Sequence, residues 1–526
     1  MRPDIILIMK KKQNWKVFCR LIIFTLILYS CEKILDVPPE DVLEEHEAFV
    51  DEFSARSSVL GVYALLQDVA EQVIILGELQ GDLLTVTENA GEDLIQVNEH
   101  NVDINNVYAN PTNFFKIIVN CNEVIHKIHR VMENDITVSQ RELNSYLAEL
   151  ILIRAWCYFK MIQIYGQVPY FEEPISDYQE SFRLNEKLNT LQTEEFVLDT
   201  ILSQIIAIDT FDLNMEEDAP YYALRVSKFT NWALQGEIYL WRNNYVWARR
   251  AYYKVINIIA TLGFAGTERL PWINNWRYNY TEWKNMFRFD YGSSDFETEV
   301  MFVIPFSKFY NQQHNLQRMF AYGEGGNYLL KPTKYIMDLF EEQKIVKWEL
   351  QTGHEAGTPG DLNRGKGVSY DSIDGNPVVT KYSIFKEPFD DDAGIIIYRA
   401  GDFHLGCCEA VNRLGQTTNA IDHLNQGLLY SSAWGIGTRS RVNINLVSVE
   451  DPLDKNEVED VILSEKALEM AFEGHRWFDL VRIARHRDDP SFLADIIALK
   501  FDDLLKREEV RTVLMDTTRW FLPLRF

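Results

Sequence analysis

The chain has 526 residues, which is enough for one large domain or for two to three of ordinary size. Hydrophobic residues make up 47% and charged residues 25% of the chain, as is typical of a globular protein with a substantial core. The formal net charge of −26 argues against nucleic acid, and against an anionic membrane surface, as the main partner.

The N-terminal segment has the organisation of a secretory signal. Three lysines at positions 10–12 precede an apolar run from Leu21 to Tyr29, and the small residue Ser30 follows it. The apolar run is much shorter than the roughly 20 residues that a membrane-spanning helix needs. The segment is therefore predicted to direct export rather than to span a membrane.

The residues around the end of this signal predict a lipid anchor. Leu28–Cys31 resembles a lipobox, so residues 1–30 are interpreted as a lipoprotein signal peptide and Cys31 as the lipidated first residue of the mature chain. The alternative is a plain cleaved signal with an incidental Cys31. The sequence leaves open whether Met1 or Met9 is the start, although Met9 is followed by the more usual run of lysines.

The first part of the mature chain alternates between polar linkers and helical segments. Residues 32–45 contain two prolines and scattered acids and are predicted to form a tether. Helices are predicted over 48–67 and 114–132, where apolar residues recur at helical spacing. The polar stretch 77–113 between them is predicted to be a long, functional loop, and Tyr108 is its conspicuous aromatic.

A long helix is predicted over 139–166. Leu147, Leu150 and Arg154 begin a series of three- and four-residue steps along it. Gly166 suits the left-handed residue that follows a helix end, and a proline three residues later prevents continuation.

The six cysteines show no metal-binding spacing, and we expect no metal and no cofactor. Cys121, Cys157, Cys407 and Cys408 are interpreted as small buried apolar residues. A disulfide between Cys121 and Cys157 stays open, because an oxidising compartment would permit it.

Residues 227–259 match the spacing of a tetratricopeptide unit, in which small residues let two antiparallel helices approach each other. The matching positions are Trp232, Gly236, Tyr239, Ala248 and Tyr252. Residues 399–426 form a second, degenerate unit. Several imperfect units in one chain are expected, since such units need neighbours to bury their faces.

The segment 262–395 interrupts this pattern with frequent glycines and prolines. Short runs at 300–306 and 378–385 are predicted as strands, and a helix is predicted over 333–350. We predict a loop-rich, partly β insertion at 262–395 between two parts of a helical scaffold, 46–260 and 396–526.

Aromatic residues cluster within this insertion, where residues 272–291 hold eight of them in twenty positions. Flat rings beside amides and charged groups suit a sugar, whose apolar face stacks on a ring while its hydroxyls form hydrogen bonds. The candidate ligand-binding residues are Trp272, Trp276, Trp283, Tyr278 and Tyr291, with Tyr108 and Tyr322 as extensions. The alternative interpretation is that the clustered rings form the insertion's own core.

Near the C-terminus, a helical run over 463–472 continues into a ladder of alternating charges. Glu473, Arg476, Asp479 and Arg482 follow one another at three-residue steps, which places neighbours on one helix face. A structural helix pinned by ion pairs is predicted, with a break or a close contact at Gly474.

Two of these segments resemble a known family. Residues 468–482 (LEMAFEGHRWFDLVR) and 154–171 (RAWCYFKMIQIYGQVPYF) look like signature stretches of the SusD/RagB family of outer-membrane nutrient-binding lipoproteins. The resemblance spans 31–526 and implies a mainly α-helical fold of tetratricopeptide-like repeats. It also implies an outer-membrane, surface-exposed lipoprotein that captures oligosaccharide and passes it to a SusC-like TonB-dependent transporter.

The resemblance implies binding without catalysis, and the sequence holds no recognisable nucleophile, metal or phosphate-binding motif. Two other classes of function stay open. One is a glycoside hydrolase with an unrecognised pair of carboxylates, because acidic residues are abundant. The other is a peptide-binding or purely structural partner of the transporter.

Overall fold

The structure is a computed structural model that describes most of the chain from Phe49 onward. The described residues are 49–175, 188–211, 213, 222–262, 287, 299–347, 354–383, 393–427, 437–448 and 454–524. The predicted signal peptide and Cys31 lie outside them. The fold is mainly α-helical with short strands, as the sequence predicts. The boundaries at 46–260, 262–395 and 396–526 stay predictions.

The first part of the described chain is built from helices and three very short strands. The helices are α1 (Glu52–Leu65), α2 (Gln67–Leu79), α3 (Glu92–Asn98), α4 (Thr112–Lys127), α5 (Val131–Asn134), α6 (Gln140–Tyr165), α7 (Glu194–Ala207), α8 (Lys228–Trp241) and α9 (Tyr245–Leu262). The strands are β1 (Leu84–Val86), β2 (Val168–Pro169) and β3 (Leu191–Gln192).

The second part mixes strands and helices up to residue 399 and is helical after it. The strands are β4 (Val300–Ile304), β5 (Leu330–Pro332), β6 (Tyr370–Ile373), β7 (Asn376–Val379) and β8 (Ile395–Arg399). The helices are α10 (Leu316–Phe320), α11 (Lys334–Glu341), α12 (Ala400–Arg413), α13 (Thr417–Gln426), α14 (Thr438–Arg441), α15 (Lys455–Glu469), α16 (Arg476–Arg487), α17 (Pro490–Ala498) and α18 (Leu504–Leu514).

Four antiparallel strand pairs are present in the described ranges, and two of them join distant parts of the chain. β4 pairs with β8, which brings the beginning and the end of the segment 300–399 together. β1 pairs with β5, which ties this segment to the chain just after α2. The pairs β2–β3 and β6–β7 are local ribbons.

The prediction of a long helix at 139–166 is confirmed by α6. Ser139 and Glu142 form a capping box, in which each side chain accepts the other's backbone N–H, and this satisfies donors at the helix start. Gly166 follows the last helical residue with φ of 75°, a conformation that costs glycine little. The ring of Phe521 packs against this glycine.

Helices α1 and α2 together are apolar enough to be considered as a candidate membrane span. By length and composition alone, Glu52–Leu79 passes as one candidate within the described residues. The stretch is divided into two helices at Leu66, and 56% of its most apolar window is buried inside the protein. We therefore interpret α1 and α2 as core helices.

Both predicted tetratricopeptide-like units form helical hairpins, α8–α9 and α12–α13, and Tyr252 holds them together. A Cβ added at Gly236 of α8 would lie 2.4 Å from the Tyr252 ring, and one added at Gly406 of α12 would lie 2.6 Å from its hydroxyl. The buried Tyr252 side chain of α9 therefore fills space that two missing side chains leave on two other helices.

The sequence prediction for the C-terminal stretch needs a correction. α15 ends at Glu469, and the chain turns before α16 begins at Arg476, with positive φ angles at Phe472 and Gly474. The predicted break at Gly474 is confirmed, but the continuous helix is wrong. The turn passes against α2, where a Cβ at Gly77 would lie 2.0 Å from the carbonyl oxygen of Gly474.

The predicted ladder of ion pairs is also wrong for the most part. Among its members, Asp479 and Arg482 form the expected pair, at 2.7 Å. Arg476 instead makes a bidentate pair with Asp82, at 2.6 and 2.8 Å. Glu473 pairs with other elements, and all four ladder residues are buried rather than surface-exposed.

Two local predictions were too simple. The polar stretch 77–113 contains the end of α2, β1 and α3 rather than one long loop, and Gly91 is the N-cap residue of α3. The helix predicted over 333–350 is the shorter α11, followed by isolated β-bridges at residues 344 and 345.

Glycine spacing on α8 gives a testable prediction. We expect Gly236→Ala to lower the free energy of unfolding by about 1–3 kcal/mol, because the added methyl group overpacks against Tyr252. Gly61→Ala is the matched control, since Gly61 is also helical but has no atom within 4 Å of an added Cβ. The control should be neutral or stabilising by up to about 1 kcal/mol. Urea unfolding followed by circular dichroism measures both, and equal effects would contradict the packing argument.

Glu78, at the end of α2, gives a second prediction. Its Oε1 accepts the backbone N–H groups of Gly474 and His475 at 2.8 and 3.0 Å, which satisfies donors at the start of α16. Its Oε2 has no hydrogen-bond partner in the described structure. Burial raises the pKa of Glu78 to about 8 from an ordinary value of 4.5.

Because this pKa is raised on folding, the stability that Glu78 contributes is fully present below pH 4.5 and is lost as the pH rises through about 8. We expect Glu78→Gln, which keeps an acceptor oxygen and cannot ionise, to reduce the fall in the free energy of unfolding over this range. Urea unfolding at several pH values measures the slope, with the exposed Glu508→Gln as control. An unchanged slope in Glu78→Gln would refute this assignment.

Candidate functional site

The predicted ligand-binding residues divide into two groups. Trp272, Trp276, Trp283, Tyr278 and Tyr291 lie outside the described residues. Of the eight aromatics in that cluster, Phe287 is described, and it is buried with the Lys381 ammonium 4.5 Å from its ring centroid. Tyr108 and Tyr322 are both described.

Tyr108 lies in a cleft of about 390 Å³ between α2, the chain that follows α3, and the loop after β4. We call it the Tyr108 cleft. Its lining residues are Gln67, Asp68, Glu71, Gln72, Val107, Tyr108, Asn110, Thr112, Asn113, Gln313, His314 and Asn315. Amide, carboxylate and hydroxyl groups therefore surround a single aromatic ring.

Hydrogen bonds from α2 fix one wall of the cleft. Gln72 donates through Nε2 to the carbonyl oxygens of Tyr108, at 2.6 Å, and Asn110, at 3.1 Å. The side chain of Asn106 accepts the backbone N–H of Tyr108 at 2.9 Å. The short 3₁₀ turn that carries Tyr108 is thus held to α2 by Gln72 and capped at its start by Asn106.

The opposite wall is fixed by Glu71 and His314. Glu71 Oε2 accepts both the backbone and the side-chain N–H of Asn315, at 3.0 and 3.1 Å. His314 Nδ1 accepts the backbone N–H of Leu316 at 3.2 Å, so Nε2 carries the proton that it donates to the carbonyl of Ala393 at 3.0 Å. The cleft is therefore largely preformed.

The electrostatic surroundings of Tyr108 keep its hydroxyl protonated. Burial of the ring, followed by the negative charges of Glu71 and Asp93, raises the pKa of Tyr108 above its usual value of 10. At neutral pH the phenol is consequently a hydrogen-bond donor and acceptor. A phenol, amides and carboxylates around a preformed concavity suit a neutral ligand with many hydroxyl groups.

Beside the cleft, the loop after β4 presents two exposed rings that the sequence prediction missed. Ser307 and Gln312 exchange backbone hydrogen bonds at 2.9 and 3.0 Å, and Asn311 closes the turn with φ of 57°. Phe309 is 88% and Tyr310 64% exposed, and their rings meet edge to face at 5.0 Å. In the sequence, these rings could have been found as two adjacent aromatic residues directly before Asn311 in a polar stretch.

Tyr322 occupies a different place from Tyr108. It is partly exposed in the loop before β5 and packs edge to face on Tyr328 at 5.1 Å. Tyr328 is anchored by a hydrogen bond from its hydroxyl to the carbonyl of Pro377, at 2.9 Å. Tyr322 is not among the residues that line the Tyr108 cleft.

A larger groove of about 1270 Å³ lies where α6 and α8 end and α7 begins. Two of its charged groups, Glu194 and Arg485, already pair with each other. Glu194 accepts from the Trp241 indole at 3.0 Å and from Arg485 at 2.8 Å. The Arg485 guanidinium also stacks over the buried Trp241 ring, so this ring is not an open face for a ligand.

One cluster of described residues has the composition of a metal site. It consists of Glu409, Glu459 and His486, whose ligand atoms lie within 4.8 Å of one another. Each carboxylate is already paired with arginine: Glu409 with Arg482, and Glu459 with Arg413 and Arg487. The two ring nitrogens of His486 contact the Tyr245 hydroxyl and the Leu240 carbonyl. The arrangement is that of a buried ion-pair cluster.

Comparisons with known proteins agree with this architecture. Residues 378–513 match the model of the SusD family. SusD-like protein P38 of Formosa agariphila is 25% identical over 508 residues, covering 90% of this chain and 92% of that protein. A SusD superfamily crystal structure from Bacteroides vulgatus superposes with a TM-score of 0.66 at 16% identity, covering 89% of this chain and 93% of the other.

A laminarin-binding SusD-like protein of known structure is also similar. It superposes with a TM-score of 0.59 at 16% identity and covers 87% of this chain and 95% of its own. At this identity, both structural likenesses show a shared fold. Together with the family match and the relatives aligned over most of their length, they lead to one conclusion. The chain is similar to proteins of the SusD/RagB family over most of its length, and its residues 378–513 match the model of that family.

Proposed function

We propose that this protein is a surface lipoprotein that binds an oligosaccharide and delivers it to a SusC-like TonB-dependent transporter. The observation that carries the proposal is the Tyr108 cleft, which combines one fixed aromatic ring with amide and carboxylate groups. Similarity to the SusD/RagB family and likeness to a laminarin-binding protein support a glycan as the ligand.

The chemistry of the cleft fits a sugar ring. The C–H face of a pyranose packs on an aromatic ring, while its hydroxyls exchange hydrogen bonds with amides and carboxylates. Gln67, Asn113 and Asn315 contribute such groups to the lining. The exposed Phe309–Tyr310 pair adds apolar surface along the same loop, where further units of a longer chain would lie.

Reversible binding is favoured over hydrolysis. A glycosidase needs one carboxylic acid that donates a proton and one carboxylate that acts as base or nucleophile. In the cleft, Asp68 accepts the Lys116 ammonium at 2.9 Å, and Glu71 accepts two N–H groups of Asn315. Both carboxylates therefore act as hydrogen-bond acceptors that hold the cleft together. We infer that the ligand is bound and released without being cleaved.

The surface location is the part of the proposal that depends on the N-terminal segment. A lipid on Cys31 would hold the protein at the outer membrane, where a ligand passes directly to a transporter. Incorporation of labelled palmitate into the wild type and into Cys31→Ala measures this step. We expect label in the wild type and none in the variant, and equal labelling of both would disprove the anchor.

Two alternatives lead to different measurements. A hydrolase would release shorter products from candidate glycans, whereas a binding protein would return them intact. If the protein is a purely structural partner of the transporter, it has no affinity for any glycan. The substitutions Trp272→Ala, Trp276→Ala and Trp283→Ala would then leave the measured glycan binding unchanged. Within the class of binding proteins, the ligand could instead be a peptide. Competition between a peptide and a glycan for the protein would distinguish these two ligands.

The role of Tyr108 gives a direct prediction. We expect Tyr108→Ala to weaken binding of the preferred oligosaccharide at least tenfold, or about 1.4 kcal/mol, because the stacking ring and the hydroxyl are both lost. Tyr108→Phe keeps the ring and should lose only about 0.5–1.5 kcal/mol, the net value of one hydrogen bond. Isothermal titration against a panel that includes laminarin fragments measures these affinities.

Phe196→Ala is the matched control for this measurement. Phe196 is an exposed aromatic on α7, where it packs on Tyr170 rather than in the Tyr108 cleft. Its removal should leave the affinity within about twofold. Equal losses in Tyr108→Ala and Phe196→Ala would move the binding site away from the cleft.

A further inference from the structure

An apolar patch is exposed where the described chain begins. We call it the N-terminal patch and define it by Val50, Phe53, Leu60, Met132 and Ile136. Phe53 is 74% and Ile136 95% exposed, which is unusual for large apolar side chains on neighbouring elements. Groups of this kind on a protein surface commonly mark a site that another segment or molecule covers.

Polar contacts hold the two halves of the patch together. The carboxylate of Asp135, next to Ile136, lies near the backbone N–H of Glu52 at the start of α1. Asn134, at the end of α5, donates through Nδ2 to the carbonyl oxygen of Phe49 at 3.4 Å. The patch is therefore a fixed surface formed by α1 and the turn after α5.

Charged side chains of both signs lie on the elements that form this surface. Arg56 is exposed one turn after Phe53 on the same face of α1. His126 and His129 are exposed at the C-terminal end of α4, and Arg130 is partly exposed beside them. Exposed Asp51 and Glu133 and partly exposed Asp135 lie beside the apolar members as well, so the surface has mixed charge, and Arg56 is its contact for an acidic and apolar occupant.

The segment that precedes Phe49 has this composition. Residues 32–48 contain seven acidic residues and one lysine. They also contain five aliphatic residues: Ile34, Leu35, Val37, Val42 and Leu43. The segment joins the described chain at Phe49, whose side chain is 5% exposed beside the patch. The aliphatic residues of the segment thus match the apolar surface at which the segment ends.

We propose that residues 32–48 dock on the N-terminal patch, with their aliphatic side chains on Phe53 and Ile136 and their acids toward Arg56. The length of the segment is sufficient, since 17 residues reach about 56–60 Å when extended, whereas the 14 residues of α1 span about 21 Å. The covalent connection raises the local concentration of the segment and favours it over a separate partner.

Docking has a consequence for orientation that rests on the proposed lipid anchor. An undocked tether of 17 residues would leave the protein free to turn about its attachment. A docked tether would bring Cys31 to one face of the protein and fix which side meets the membrane. The docking itself does not depend on lipidation and can be measured in the soluble chain that begins at residue 32.

Hydrogen–deuterium exchange of that soluble chain tests the proposal, with the free 32–48 peptide as reference. We expect the amides of the segment to exchange at least tenfold more slowly in the protein than in the peptide. Ile136→Asp should bring the rates within about twofold of the peptide, because it places a charge in the apolar contact. Leu505→Asp, at another exposed leucine, is the matched control and should keep the protection.

The charge contribution has its own test. Arg56→Glu should reduce the protection, and adding Glu44→Lys and Glu45→Lys should restore it, since the signs are then exchanged. Exchange of wild-type amides at the rate of the free peptide would overturn the proposal. Light scattering that shows a dimer dissociated by Ile136→Asp, without a change in exchange of 32–48, would also overturn it. Oligosaccharide affinity should stay unchanged in these variants, so this test is independent of the proposed function.

Discussion

The structure depends on a set of buried ion pairs that converge on α15 and the turn after it. Arg364 reaches Glu465 and Glu469 of α15 at 2.9 and 2.8 Å. Arg399 reaches Glu469 at 2.6 Å and Glu473 at 2.8 Å. Removing one partner of such a pair leaves an uncompensated buried charge and typically costs about 3–5 kcal/mol. The segment 361–399 and the C-terminal helices are therefore bound into one unit.

Helix α2 connects this unit to the candidate binding cleft. Its first half supplies Glu71 and Gln72, which fix the two walls around Tyr108. Its last turn supplies Gly77 and Glu78, which lie against the turn between α15 and α16. Because one rigid helix carries both sets of contacts, the C-terminal signature and the distant cleft share a structural support.

Local patterns predicted the parts of the fold that local physics determines. The apolar spacing that begins at Leu147 and the terminal Gly166 predicted α6 almost to the residue, because both signals belong to one helix. The glycine and aromatic spacing around Gly236 and Tyr252 indicated a helical hairpin for the same reason. In each case the signal and the structure it specifies lie within a few turns of one another.

Partners that are distant in sequence could not be predicted in this way. Arg476 bonds to Asp82, 394 positions away, and no periodicity within 473–482 carries that information. Tyr108 was singled out as an aromatic in a polar stretch, but its cleft depends on α2 and on a loop after residue 306. The exposure of Phe309 and Tyr310 depends likewise on the tight turn that tertiary contacts and Asn311 produce.

The position of Tyr252 between two glycines of different helices also bears on how this sequence can vary. The Tyr252 ring fills the space that side chains at Gly236 and Gly406 would otherwise occupy. The side chains at these three positions must therefore share one fixed volume. A larger residue at either glycine is compatible with the fold only when position 252 becomes smaller. In related sequences, these three positions should therefore change together, although they are as many as 170 residues apart.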